Sequence, residues 1–568
     1  MTGVGRRPFI AERLARAGGI GVLALALFFE SAHGAKAGPG GASPDTATPT
    51  QALDMASDHA QRAPRASTRQ ASILWLECSR LAYAALQADS DVARSLTLAN
   101  TCTDAWLVAA LQDQRAWRAG RERIHGRTVQ VEFRGLSAYL DKSVRVVRAA
   151  DVSMRIYGGT RYTRAGLGIP VVVVSPRCRD RPMCKLLPFS GVFRPATAWI
   201  EPDAQADARL VIADPLHATT ATIGSTQVPL AEDTSAAYAH VMGSSPIGRL
   251  GLFGLIGGGE VARRAGVYLM EDYDPDKRPL IMVHGLGSSP LSWSGMANAI
   301  WGDAELRRHF QIWYLVYSTD DPLFVARRRI SGYLDAAWAI VDPDGNDPAR
   351  HGAVLIGHSM GGVLSRLLSV ETGDTLWSTA FSVRPEAMPS DAGDVAAVAS
   401  LLVFSPYPGV SRAIFLAAPH HGSPLADRWY ARLVKGLAGE PPPEIQAIRR
   451  IAREHPEVVR IELHSSYQQG RITSISTLQA AQPVRRASER LLPVAGIAYH
   501  TIAGRLPMRM PEGDGVVPLA SAMLPGASST LVVESGHDIY AHPEAIAEVV
   551  RILREDLAGT ASTSAQLP

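Results

Sequence analysis

Four cysteines in 568 residues is a small number, and none of them forms a Cys-x-x-Cys pair. His-x-x-x-His spacing is also absent, so neither a thiolate zinc site nor a helix-borne histidine pair has the ligands it needs. Charge of one sign is not in surplus. Lys and Arg number 57 against 54 Asp and Glu, and residues 1–37 hold five of the basic and two of the acidic side chains, so the remainder balances. A nucleic-acid partner, which needs a basic face, is not indicated. The glycine cluster Gly254–Gly259 lacks a suitable strand before it and an acidic residue after it. It reads as a flexible junction between domains rather than a dinucleotide loop. No internal repeat is present.

What remains is a globular composition, 46% hydrophobic and 20% charged, with room for more than one domain. Arg6 and Arg7 open a basic stretch, Gly18 to Phe29 is apolar but short for a bilayer, and small residues follow. Residues 1–37 therefore read as a signal peptide, with cleavage after Gly34 or Ala37, and the protein as exported, periplasmic or secreted. Arg6-Arg7-Pro8-Phe9-Ile10 resembles a twin-arginine signal. The alternative is an uncleaved N-terminal anchor. No cysteine near the leader offers a lipoprotein attachment. An even cysteine count in an exported chain predicts two disulfides. Of the three pairings, the local ones, Cys78–Cys102 and Cys178–Cys184, are expected, because each pair lies within one subregion.

Residues 38–70 are rich in Ala, Pro, Gly, Ser and Thr and read as a disordered linker. Helical apolar spacing marks 71–125 (Leu76, Leu81, Leu96, Trp106, Leu111). Short β-like runs mark 126–250, among them Val129–Phe133, Val171–Val174 and Leu210–Ile212, and predict a sandwich-like accessory region. Residues 558–568 read as a disordered tail.

The chemistry concentrates further on. The apolar run Ala353–Ile356 leads into Gly357-His358-Ser359-Met360-Gly361, and a helical pattern follows. A serine between strand and helix is forced into a strained turn that lifts its hydroxyl above the sheet edge. Upstream, the run Pro279–Val283 ends in His284-Gly285-Leu286-Gly287, a loop that leaves backbone N–H groups free. The amides of Leu286 and Met360 are the candidate donors to an oxyanion. Downstream come Asp514, between Gly513 and Gly515, and His537, after the apolar run Thr530–Val533. Strand, His-Gly-Leu-Gly, strand, Gly-His-Ser-Met-Gly, acid and then histidine is an order that resembles the α/β-hydrolase superfamily, in its bacterial lipase and esterase branch of triacylglycerol-lipase-like serine hydrolases. The resemblance covers about 267–557. It implies a mostly parallel sheet flanked by helices, preceded here by the helical segment and the β-rich region.

The resemblance also assigns roles: Ser359 nucleophile, His537 base, Asp514 the acid that orients it, no cofactor. Glu512 and His542 are the rivals in the same loops; His542 precedes Pro543 at a helix start and suits a cap. His284, His358, His420 and His421 read as supporting structure. Two insertions, 374–411 and 427–498, sit where such enzymes carry lids, and their apolar content suggests pocket covers. Leu286, Leu291 and Trp293 are the candidate pocket lining. The substrate expected is an apolar ester, with lipids among the candidates, and transient membrane contact goes with it. The protein partner of the accessory region stays open. The same acyl-enzyme passed to an alcohol or amine would make an acyltransferase, and the fold without turnover would make a binding protein.

Overall fold

The computed structural model describes residues 47–112, 115–244, 263–423, 441–470, 472, 482–508 and 510–564. The leader and the glycine-rich junction fall outside them. The first described element is a helix, α1 (Pro49–Arg62), where composition suggested a linker over 38–70. Local chemistry corrects that reading. The Gln51 N–H donates to Thr48 Oγ1 and the Thr48 N–H to Gln51 Oε1, a reciprocal cap that satisfies two end donors. Pro49 stands at the first turn, where its missing N–H is not needed. Ala52 and Ala56 pack with Cys78, Leu81, Ala82, Ala99 and Cys102 of the next two helices, α2 (Thr68–Gln87) and α3 (Val92–Ala110), and Leu53 is buried beside them. Cys78 and Cys102 are joined, as are Cys178 and Cys184.

Of the strands that follow, seven belong to one sheet: β1 (Trp117–Arg118), β2 (Gly120–Ile124), β3 (Arg127–Arg134), β4 (Ser143–Arg148), β5 (Ile169–Ser175), β6 (Val192–Glu201) and β7 (Ala208–Ala213). They make one mixed sheet in the order β1-β4-β5-β6-β7-β3-β2, with β3 and β7 parallel. The sandwich expected over 126–250 is not what forms. Among the described residues helices lie on both faces, and a small hairpin, Thr220–Ile223 with Thr226–Pro229, joins α2 over Trp199 and Val211. Val171 and Val173 pack with Trp106 and Leu107 of α3, while Val172 and Val174 pack with α4 (Thr234–Ser244) on the other face. A strand covered on both faces needs a continuous apolar run instead of alternation.

The second sheet holds β8 (Gly266–Leu269), β9 (Arg278–Val283), β10 (Phe310–Val316), β11 (Ala353–His358), β12 (Val410–Leu416), β13 (Ala498–Gly504) and β14 (Ser529–Val533). Its order is β8-β10-β9-β11-β12-β13-β14, and all pairings are parallel except β8 with β10. Alternation sorts β9 onto two faces. Leu280 and Met282 pack with α5 (Ser294–Gly302), and Ile281 and Val283 with α6 (Leu323–Val341) and α7 (Met360–Leu367). The segment 374–411 forms α8 (Thr375–Ala380) and α9 (Ala392–Leu402), and Leu376, Trp377, Phe381, Leu401 and Leu402 join the same core as α6. It thickens this flank, and among the described residues none of its side chains lines the apolar cavity beside His284, against the expectation of a lid. In the other insertion, α10 (Pro443–Glu454) packs beside α9 and α11 (Pro483–Ser488) beside α8; residues 427–440, 471 and 473–481 lie outside the described set.

The closing helix α12 (Pro543–Ser564) packs on the α5 face and runs into the stretch expected to be a tail, since each further turn of a formed helix adds hydrogen bonds without a new nucleus. Among the described residues no helix is long and apolar enough to cross a membrane. The two sheets share one core through α4. Its Tyr238 ring lies 4.7 Å from Trp301 on α5, and Glu232 pairs with Arg307 at 2.8 Å.

Candidate active site

β11 ends at His358 and α7 begins at Met360, so Ser359 alone turns the chain. It does so at φ 54° and ψ −125°, a conformation that side-chain-bearing residues rarely adopt. The surroundings impose it. The Ser359 N–H donates to the Leu416 carbonyl of β12 at 2.9 Å. A Cβ on Gly361 would stand 2.1 Å from the Val283 carbonyl, so α7 starts directly against the end of β9. A Cβ on Gly285 would stand 2.9 Å from Ser359 Cβ, which puts the His284–Gly287 loop against the serine.

Ser359 Oγ lies 2.9 Å from His537 Nε2, and His537 Nδ1 lies 2.7 Å from Asp514 Oδ2. The carboxylate holds the ring proton on Nδ1 and leaves the Nε2 lone pair to accept from the serine hydroxyl. The other Asp514 oxygen accepts from the N–H groups of Val516 and Val517 at 2.8 and 2.7 Å. Ser359 is 2% exposed and Asp514 3%, so these hydrogen bonds act with little competition from water. All three residues sit beyond the C-terminal ends of strands β11, β13 and β14, where the parallel sheet brings its loops together.

The rivals fall elsewhere. Glu512 is exposed beside Arg505, and His542 Nδ1 accepts from the Glu544 N–H at the start of α12, the cap expected of it. His284 Nδ1–H donates to the Gly285 carbonyl, its ring stacks on Tyr317 at 4.6 Å, and burial pushes its pKa down to about 4. His420 is fully buried against Phe415, and His421 faces Glu489. The Arg485 guanidinium donates to the carbonyls of Pro419 and His420, which braces the turn after β12.

His358 does more than packing alone predicts. Its Nε2–H donates to the His537 carbonyl at 2.7 Å, and its ring lies 4.9 Å from that of His537. Burial first, and then the nearby His537, hold its pKa well below the ordinary imidazole value. It is therefore a neutral, fixed donor that pins the backbone of His537.

Leu286 and Met360 are buried on the two turns that flank Ser359, and among the described residues neither N–H donates a hydrogen bond. Of the lining expected from Leu286, Leu291 and Trp293, only Leu291 lines an open space, a groove it shares with Gly287, Ser289 and Tyr540. Leu286 packs in the α6 core, and Trp293 is buried against His358 and Tyr540. An apolar cavity does lie beside the His284 loop, but Phe189, Val241 and Met242 from the N-terminal region help to line it. No sequence pattern joins those residues to the motif; only the shared core does. Among the described residues one group has metal-ligand spacing, Cys178, Asp180 and Cys184, and its two sulfurs are joined in a disulfide.

Residues 280–549 match the model of the alpha/beta hydrolase family. No curated protein matches the chain. Among solved structures, the mature lipase BlEst2 of Bacillus licheniformis is 19% identical over 50% of this chain and 94% of its own, with a TM-score of 0.30. Lipase 1 of Pelosinus fermentans is 12% identical over 52% of this chain and all of its own, also at 0.30. The thioesterase domain of the curacin biosynthetic pathway is 11% identical over 49% of this chain and 92% of its own, at 0.23.

Proposed function

We propose that this chain, whose residues 280–549 carry an α/β-hydrolase domain, is an exported serine hydrolase that cleaves carboxylic esters. The observation that carries the reading is the unbroken hydrogen-bond chain from Ser359 through His537 to Asp514 at a strained strand-to-helix turn. Ser359 Oγ attacks the ester carbonyl while His537 Nε2 takes its proton, and Asp514 stabilises the resulting imidazolium. The carbonyl oxygen, now an oxyanion, takes the Leu286 and Met360 amides. Collapse breaks the bond to the alcohol, which leaves with the proton from His537. Water, deprotonated by the same histidine, then cleaves the acyl-enzyme. No step calls on a cofactor. The apolar cavity beside the His284 loop supports an apolar ester, and the two disulfides together with the leader support an oxidising compartment outside the cytoplasm.

The test is hydrolysis of p-nitrophenyl esters by the wild type and by Ser359→Ala. Turnover by the variant is expected to fall by about 10⁴-fold or more with its thermal unfolding unchanged. Near-wild-type turnover in the variant would remove Ser359 from the role.

A further inference from the structure

We propose that the N-terminal region is the specificity element of the enzyme: with Phe189 and Met242 it closes the acyl pocket and limits the acyl arm to about four carbons. The inference rests on the ester-hydrolase reading above and adds to it the substrate class and the residues that set it.

The cavity lies between the two sheets. Phe189, Val241 and Met242 come from the N-terminal region, and Met270, Tyr314 and His284 from the catalytic one. No carboxylate lines it. Its place relative to Ser359 follows from the chain. His284 lines the cavity, and the next residue, Gly285, is the one pressed against Ser359. Ser359, Leu286 and Met360 do not themselves line the cavity, so an acyl chain bonded to Ser359 reaches it past the His284–Gly287 loop.

The same geometry separates acyl from alcohol. His537 must hand its proton to the departing alcohol, so the alcohol lies on the side of the His537 loop. No residue from 534 to 542 lines the cavity. It is on the side away from the leaving group, which is the side of the acyl chain.

Size sets the class. The cavity encloses about 70 Å³. An apolar cavity of about 150 Å³ accommodates the six carbons of benzene, so this one takes about three carbons beyond the carbonyl, a butyryl-sized arm. Its outer wall is built to hold still. The Arg177 and Arg264 guanidinium groups lie 4.4 and 5.2 Å from the Phe189 ring centre, Tyr268 packs on that ring at 5.6 Å, and the Cys178–Cys184 disulfide closes the loop that precedes it. Phe189 is 45% exposed, so it faces solvent on one side and the cavity on the other. Met242, 8% exposed, sits on α4, the helix that joins the two sheets.

The experiment is the ratio of kcat/KM across p-nitrophenyl acetate, butyrate, octanoate and palmitate, measured on the full chain and on Met242→Trp and Phe189→Ala, with each variant's unfolding transition recorded. In the wild type, specificity should rise about fourfold per carbon from acetate to butyrate and fall by more than about tenfold by octanoate. Met242→Trp fills the cavity and should lower the butyrate-to-acetate ratio by about tenfold or more. Phe189→Ala opens the outer wall and should raise the octanoate-to-butyrate ratio by a similar factor. If Met242→Trp does not fold, Phe189→Ala, half in solvent, decides. Ester hydrolysis with ratios unmoved by either variant, or a wild-type maximum at octanoate or beyond, overturns the proposal and leaves the hydrolase reading standing. No hydrolysis of any ester, with Ser359 unreactive toward a fluorophosphonate, overturns both.

Discussion

Ser359, Asp514 and His537 stand 155 and 23 residues apart in the chain and meet only because the sheet gathers their loops, yet each carries a local sign of the role proposed for it: glycines two residues either side of Ser359, glycines beside Asp514, and an apolar strand ahead of His537. His358 carried no such sign. A histidine before the serine is compatible with simple packing, and its hydrogen bond to the His537 carbonyl spans 179 residues. That bond gives a prediction. His358→Phe keeps the ring volume and removes the donor, which leaves a carbonyl without its partner and the triad histidine without its anchor. Loss of such a bond costs about 1–3 kcal/mol, and misplacement of His537 converts that into kcat. The expected outcome is a kcat lower by about 10- to 100-fold with KM changed by less than about threefold, and partial recovery in His358→Gln, which restores an N–H. Equal losses in kcat and 1/KM, with no difference between Phe and Gln, would mean that His358 merely fills space.

At the level of elements, what the sequence conveyed depended on how many faces of an element are buried. β9 and β11 are short apolar runs with a motif at one end and were legible. β5 was legible as a strand, but its partners were not, because a run buried on both faces does not say whether helix or sheet covers it. The helices of 374–411 were read as a cover because apolar residues in an insertion suit a lid as well as a core; burial of Trp377, Leu401 and Leu402 decides for the core. α1 was missed because Ala, Ser and Thr also compose linkers, and only the Thr48–Gln51 pair marks its start. If α1 is part of the fold, Leu53, at 2% exposure, is a core residue. Leu53→Ala should then lower the unfolding free energy by about 2–4 kcal/mol in urea titration. A change below about 0.5 kcal/mol would return the segment to a linker.

For the molecule as a whole, the sequence separated an accessory region from a catalytic one, and the structure joins them. Tyr238, Trp301 and Tyr314 share one aromatic contact group, and the Arg194 guanidinium reaches across to Asp272 at 2.5 Å. Contacts between segments distant in the chain leave no period or spacing to read, which is why the N-terminal contribution to the cavity was invisible beforehand. Whether this shared core serves a serine nucleophile can be measured directly. The full chain is treated with a fluorophosphonate, its intact mass is measured, and the adduct is located by peptide mapping. The expected result is one adduct per chain, on Ser359, absent from Ser359→Ala and slowed by Asp514→Asn. An unmodified chain, or an adduct on any other residue, would rule Ser359 out as the nucleophile.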